Sequence, residues 1–543
     1  MIDGLYVQAV HNATSAEQVN GLFQEWWKKN WVEGISTRVQ MLERWFGNVL
    51  TSDKVYGTKL PLFATSNSAI GEAIDDSVGL TCVPSTNTTR GQDDFAYKPE
   101  FWCIEASGEH NADGTVTIYA VELIDDLATV RSGEHLTWVL QKNTYWHEYT
   151  SEGYHFVELA SKEHEGWHRW PQGMSSNGTV HEFIANPKYY AGMKDGMVTV
   201  GTNLPAINFT SHQSGVALWR ERGSQYSGAN GSLIKFLDIM VKLKYNKKGN
   251  SGIIEGCSNY SWQYTTPIGE TGVERVIVTT AQGANIKVGS TVIVGKKGGS
   301  TDRGDSAMRS LVSMKKVKSL ETISIDGTSY TAVNLDNGGV TFDTVANETI
   351  ISSMPYHSGY NDNVLGYDGS ATNYTNGSEP GLLQKIEFQN GAYLIISDEL
   401  WQWSKDDTYY MFDCYTCHDQ SKVTTNGTIS ADYKKQSDLT LKWAVEGANT
   451  SWHWEYIEDT AIANDPAVCW PAKVSTSAGS GTSCKAGFGV RLASSGVRAG
   501  WCFCDLWDGG ICGVSARHSG HSVGGATWYG ALGGPGLGGE SKS

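Results

Sequence analysis

From Phe101 onward, short runs of β-branched and aromatic residues recur, each closed by Gly, Asn or Asp, and this punctuation limits the chain to sheets of short strands. Thr115-Val116-Thr117-Ile118-Tyr119-Ala120-Val121 and Thr137-Trp138-Val139-Leu140 are the first clear examples. The composition agrees, with 62 Gly, 20 Trp and 25 Tyr in 543 residues and only 18% charged side chains, where ~7% Gly and ~25% charged are usual. Hydrophobic residues make up 40%, enough for several cores, so the chain is not a disordered one. Its length suggests three to four domains of ~150 residues each. No apolar run approaches the ~18–20 residues of a spanning helix, so no membrane insertion is expected. The opening Met1-Ile2-Asp3-Gly4 has neither the basic nor the apolar stretch of an export signal.

Two helices stand against this background. Ser15 with Gln18 three positions on is a capping-box pattern, and Val19, Leu22, Phe23 and Trp26 follow at helical spacing. Ile35, Val39, Leu42 and Trp45 continue the stripe after Gly34. The pattern predicts a helical hairpin packed on its neighbour, while a Trp-rich stripe also suits docking or oligomerisation. Residues 231–243 predict a second helix, with Ser232 as N-cap and Leu233, Phe236, Leu237, Met240 and Val241 as its buried face.

Residues 257–352 read as an inserted small β-barrel or sandwich. Val276-Ile277-Val278, Thr291-Val292-Ile293-Val294, Thr322-Ile323-Ser324-Ile325 and Ala332-Val333-Asn334-Leu335 are its strands, and Lys296-Lys297-Gly298-Gly299-Ser300 is a solvated tip. From Gly481 to Gly539 the chain is dominated by Gly, Ser, Trp, Cys and His. Phe488, Val490, Leu492, Trp501, Phe503, Trp507, Ile511, Val514, Trp528, Tyr529 and Leu532 still supply apolar surface for a folded unit, at ~1.5–3 kcal/mol for each large side chain fully buried. Only the last eleven residues, Gly533 to Ser543, read as a tail.

A net charge of −16 excludes general binding to nucleic acid. Lys315-Lys316-Val317-Lys318 is a short, strand-like solvated face, and ten cysteines are too few for a disulfide scaffold. Cys414-Tyr415-Thr416-Cys417-His418 has the spacing of a c-type haem attachment site but lies in strand-like sequence. Cys414 and Cys417 with Cys502 and Cys504 would be a four-thiolate zinc set of unusual spacing. His164-Glu165-Gly166-Trp167-His168 matches the zinc-peptidase pattern, which needs both imidazoles on one helix face. Gly166 and Pro171 oppose that helix. Spacing alone leaves metal binding open at His164/His168, Cys414/Cys417 and Cys502/Cys504, and no cofactor is expected. No nucleophile elbow, phosphate loop or dinucleotide fingerprint occurs, so recognition rather than catalysis is the expected role.

One family shares the order of several short motifs with this chain. Phe488-Gly489-Val490-Arg491-Leu492, then Gly510-Ile511-Cys512-Gly513-Val514, then Trp528-Tyr529-Gly530-Ala531-Leu532 resembles the end of retroelement-diversified variable proteins with a C-type lectin fold. The closing stretch is one residue shorter than in that family and lacks its Arg. Trp219-Arg220-Glu221-Arg222-Gly223, Gly366-Tyr367-Asp368-Gly369-Ser370, and Lys385 to Gly391 running on to Ser397-Asp398 are similar to earlier parts of gut-phage members. The resemblance covers roughly 196–256 and 353–543; with the strand pattern of 257–352 and the helical start of the chain, it gives an α+β chain in three parts. Residues 196–256 with 353–543 would form a C-type lectin-like domain and 257–352 an insertion. Residues 1–195 would be a mixed helical and β region for virion attachment or oligomerisation.

The function so implied is a non-enzymatic phage tail-tip or fibre adhesin that binds a bacterial surface receptor, protein or glycan. Its other partners would be virion tail proteins and further copies of itself, a trimer by analogy. In this family miscopied template adenines turn Asn codons into many residue types at fixed positions. The implied variable, ligand-binding face is Phe503, Asp505, Asp508, Ile511, Ser515, Arg517, His518, His521 and Tyr529. Cys502, Cys504 and Cys512 would also be products of codon variation. Trp cannot arise from an Asn codon by adenine changes alone, so Trp501, Trp507 and Trp528 would be framework. Calcium-dependent sugar binding is not implied, because Trp507-Asp508-Gly509 and Glu379-Pro380-Gly381 only half match the lectin ligand motifs. The alternatives are a tail-associated glycan depolymerase working through paired carboxylates and a purely structural virion protein.

Overall fold

Ser15 Oγ accepts the Gln18 amide at 3.3 Å and so starts the Ala16–Asn30 helix, while the Gln18 side chain reaches back to Thr14 rather than to Ser15. Val19, Phe23, Trp26 and Trp27 of this helix are buried. Phe23 and Trp26 meet Trp45 with ring centroids 5.2 and 5.3 Å apart, and Trp45 meets Trp102 at 6.0 Å. Tilted and edge-on contacts of this kind add ~0.5–1.5 kcal/mol each beyond area burial. The Trp-rich stripe is thus consumed in the chain's own core, against a four-stranded sheet ordered Phe183–Pro187, Leu136–Lys142, Cys103–His110, Val116–Val121. Ile35, expected on the stripe, is instead 76% exposed in a turn beside Gly34 (φ +76°).

The computed structural model describes residues 2–62, 70–85, 89–249, 253, 257, 262–296, 306–363, 380–388, 391, 393–436, 441–444, 452–460, 468, 471–475, 485–489, 495–502, 514–518 and 530–537. These form an α+β structure. A second, five-stranded sheet runs His168–Arg169, Tyr145–Ser151, Tyr154–Ala160, Val55–Pro61, Glu72–Asp75. A third has ten strands. Its path is Lys434–Lys435, Tyr409–Thr416, Tyr393–Lys405, Ser495–Cys502, Val514–His518, Lys485–Gly489, Trp452–Thr460, Pro471–Ser475, with Leu441–Ala444 and Gly530–Leu532 attached at its sides.

The Gly231–Tyr245 helix packs against strands of both larger sheets, and this placement corrects two expectations. Its N-cap is Asn230, not Ser232, and the Gly231 amide donates to Asp398 Oδ1 at 2.8 Å, so the cap comes from the Tyr393–Lys405 strand. The helix also buries every residue from Gly231 to Lys244, not a single face. One core cluster joins it to Tyr56, Trp146, Trp170, Trp401 and Phe412, and a second joins the N-terminal helices to Trp219, Ile395, Leu532 and Leu537. Both cores therefore combine residues from before and after position 195.

Residues 262–354 have a core of their own, containing Val276, Val278, Val292, Val294, Val333 and Ile351. Six of their strands form one sheet in the order Gln263–Thr265, Thr349–Met354, Thr291–Lys296, Val312–Ile325, Thr328–Leu335, Arg275–Thr279, and Glu270–Val273 pairs with Phe342–Thr344 in a second, two-stranded one. Thr266 Oγ1 donates to Ile277 O at 2.6 Å while its amide donates to Thr349 O. That residue ties the two edges of the sheet together and curls it toward a barrel.

Candidate functional site

The ten-stranded sheet fixes the ends of the segments singled out for binding. Ser515, Arg517 and His518 lie on Val514–His518, in register with Trp501, Ala499 and Arg498. Trp501 is in turn in register with Ile395. Phe503, Asp505, Trp507, Asp508 and Ile511 fall in the connection 503–513, and His521, Trp528 and Tyr529 in the connection 519–529. Both lie outside the described residues, as do Cys504 and Cys512. The first connection leaves at Cys502 and returns at Val514, which are paired directly. The second rejoins at Gly530, opposite Tyr393. Leu394 is in register with both Cys502 and Ala531, so each connection has one end bonded to the same short stretch of a central strand.

Gly533 to Leu537 are not a tail, as expected from composition, but a buried plug. Leu537 and Ala531 are fully buried. The indole N–H of Trp138 donates to Pro535 O at 2.9 Å, that of Trp219 to Gly533 O at 3.1 Å, and Gln420 Nε2 to Gly536 O at 2.8 Å. A Cβ on Gly534 would stand 2.2 Å from Val200 Cγ2, and one on Gly536 would stand 2.3 Å from the Ala185 carbonyl. Glycine is therefore required here by close approach of backbone, not by flexibility.

The metal-like motifs have other environments. His164 to His168 form no helix: Gly166 turns the chain at φ +81° and His168 begins a short strand, which separates the imidazoles that zinc-peptidase chemistry must keep on one face. Trp167 instead stacks on His164 (4.5 Å) and His147 (5.7 Å), and His147 stacks on Tyr149 (5.1 Å). Cys414 is in register with Trp401, and Trp401 with Arg498, two strands away from Cys414. Cys502 lies four residues beyond Arg498 on the same strand, so at ~3.3 Å per residue and ~4.8 Å per strand its backbone is roughly 16 Å from that of Cys414. One tetrahedral zinc cannot span that. Among the described residues no group of three or more His, Cys, Asp or Glu is arranged to hold a metal ion.

Buried charges tie the layers together. Glu148 faces Lys235 in a close ion pair, Lys242 at 3.7 Å and His155 at 3.1 Å, and Lys242 also meets Asp238 at 2.7 Å. A second network contains Glu105 with Arg131 (2.7 Å) and Lys188 (3.0 Å), and Asp362 receives hydrogen bonds from Tyr189 and Thr202, both at 2.7 Å. Beside it, Glu387 accepts the amides of Gly359 and Asn361. Burial, reinforced by the Asp362 charge, pushes the Glu387 carboxyl up to about 8, against the pull of those amides and of Lys188. An unfolded Glu titrates near ~4.3, so this group's stabilisation is full below that pH and is lost as pH rises through about 8. The unfolding free energy in urea should accordingly decline from about pH 5 to about pH 8, and Glu387→Gln should flatten the slope.

One constellation gave no signal in the sequence. Ser175 Oγ lies 2.6 Å from His181 Nε2, and His181 Nδ1 lies 2.6 Å from Glu43 Oε1. Glu43 Oε2 accepts the Glu182 amide at 2.8 Å. Glu43 comes from the Arg38–Arg44 helix, while Ser175 and His181 flank a tight turn. In that turn Gly178 (φ +84°) donates its amide to Ser175 O and Asn177 Oδ1 accepts from Thr179. The Asn177-Gly178 pair is a turn signal readable in the sequence; the carboxylate more than a hundred residues upstream is not.

No protein-family model and no curated protein matches this chain.

Proposed function

We propose that the chain is a phage tail-tip adhesin with a C-type lectin-like terminal region, whose connections 503–513 and 519–529 contact a receptor on the bacterial surface. The observation that carries this reading is their anchorage. Both leave from and rejoin a ten-stranded sheet, and the chain after them is locked into the core by Trp138, Trp219 and Leu537. Segments held this way can change sequence at small energetic expense, since substitutions away from packed features usually shift stability by less than ~0.5 kcal/mol. The affinity would reside in a few aromatic or Arg anchors. The protein would act in the virion, as a homo-oligomer beside other tail proteins, and receptor binding at this face would itself involve no catalysis.

The test replaces 503–513 and 519–529 by Gly/Ser segments of equal length. The thermal unfolding midpoint should change little while adsorption to host cells is lost. Undiminished adsorption with an intact fold would refute the adhesin reading and leave a structural virion protein. Release of reducing sugar from envelope polysaccharide by the unaltered chain would favour the depolymerase.

A further inference from the structure

We propose that Ser175, His181 and Glu43 form a second, catalytic site, in which Ser175 is an acyl-accepting nucleophile toward small esters. This goes beyond the adhesin reading and does not depend on it.

The geometry assigns the roles. Glu43 uses one carboxylate oxygen on His181 Nδ1 and the other on the Glu182 amide. Its position is thus fixed, and Nδ1 is the ring nitrogen that carries the proton. The Nε2 lone pair then faces Ser175 Oγ at 2.6 Å. A base held in one tautomer by a carboxylate and bonded to a hydroxyl is the arrangement that activates a serine. The Asn143 side-chain amide and Arg169 both donate to His181 O, which holds the residue's backbone as well.

Among the described residues the Ser176 and Asn177 amides make no hydrogen bond; the Gly114 backbone lies close against Asn177 N, so Ser176, which follows the nucleophile directly, is the candidate donor. The amide of the residue after a nucleophile is a donor that acyl-transfer sites use for the oxyanion. Ser175 is itself buried, but Ser176, Asn177, Thr179 and Val180 above it are exposed. With Ser175 and His181 both buried, the proposal is confined to small acyl groups.

In the reaction Ser175 Oγ bonds to the ester carbonyl carbon as its proton passes to His181 Nε2. The tetrahedral adduct collapses by breaking the bond to the alcohol oxygen, which takes that proton and leaves. Water, deprotonated by His181, then attacks the acyl-serine, releases the carboxylic acid and restores the Ser175 hydroxyl.

The full-length protein is treated with a small fluorophosphonate, mapped by mass spectrometry, and assayed with p-nitrophenyl acetate. One adduct on Ser175 is expected. His181→Ala should abolish it, and Glu43→Gln should slow both labelling and turnover by at least ~100-fold. Absence of an adduct on the folded wild-type chain overturns the proposal whatever the variants do. So does turnover that Ser175→Ala leaves unchanged. Ser175→Cys, which retains a side-chain hydrogen bond to His181, should gain rapid alkylation by iodoacetamide, and an inert thiol in a folded variant counts equally against the site. Host adsorption is measured on the same variants and should be unaffected, so the two readings fail separately.

Discussion

A chain ending at Tyr529 or Leu532 will not fold, although the residues removed look like a glycine-rich tail. Cutting before Gly533 strips the acceptors from the Trp138 and Trp219 indoles and from Gln420, all buried. Each orphaned donor costs about 1–3 kcal/mol, and the lost burial of Leu537 about 1.5–3 kcal/mol more. Together these are comparable to the ~5–15 kcal/mol that holds a typical domain folded. Near-UV circular dichroism should show loss of fixed tertiary structure in the truncated chain, whereas a chain ending at Leu537 should keep its transition. Gly536→Ala is the finer probe. Its methyl would meet the Ala185 carbonyl, a backbone atom that cannot swing aside, so a loss of about 1–3 kcal/mol or more is expected. A native-like melting temperature for Gly536→Ala would show that the plug is not seated as described. Truncations that also remove Ser495–Cys502, a strand of the same sheet, cannot test receptor binding, because lost adsorption would follow from lost folding.

The second large effect lies at Glu148. Removing this carboxylate leaves Lys235 and Lys242 facing each other's charge in the interior, with Asp238 as the acid still beside Lys242. Breaking one side of a buried ionic cluster typically costs about 3–5 kcal/mol, so Glu148→Ala should be among the most damaging single substitutions. Replacing Glu148 and Lys235 together by Leu and Met should recover much of the loss, since apolar pairs often substitute for buried ion pairs. The pH dependence has a defined sign. Burial opposes ionisation of Glu148, but Lys235, Lys242 and His155 outweigh it and hold the carboxyl well below its usual range. A depressed folded value means stability that is full above the unfolded value of about 4.3 and is lost as pH falls below it through the lower folded value. Urea titrations should therefore show wild type and Glu148→Gln furthest apart at neutral pH and converging in acid.

Most of the local patterns along the chain reappear in the structure, although Ile35, expected on the helical stripe, is exposed. The stripe of Val19, Phe23 and Trp26, the Ser15 cap, and the strands after Phe101 and within 257–352 depend on neighbours a few positions away, though Thr322-Ile323-Ser324-Ile325 proves to be the end of the 14-residue strand Val312–Ile325. Ser232 as N-cap and a one-sided 231–243 helix did not hold. The cap is supplied by Asp398, more than a hundred and sixty residues on, and the second face of the helix is covered by another sheet. Lys235, Asp238 and Lys242 look like a solvent face in one dimension, and only the approach of Glu148 makes them an interior cluster.

The same division runs through the sites. The chain's composition and local turn chemistry determined that it would be rich in strands punctuated by glycine turns, and that a zinc-peptidase helix over 164–168 was disfavoured by Gly166 and Pro171. Those outcomes follow from backbone preferences that each residue carries wherever it sits. Tertiary structure alone decided that the terminal glycines seal a core and that Glu43 stands behind His181. It also decided that the connections 503–513 and 519–529 each have one end at Tyr393 to Ile395. Contacts between distant segments depend on which surfaces are left to cover once every local element has formed, and no window of the sequence contains both partners.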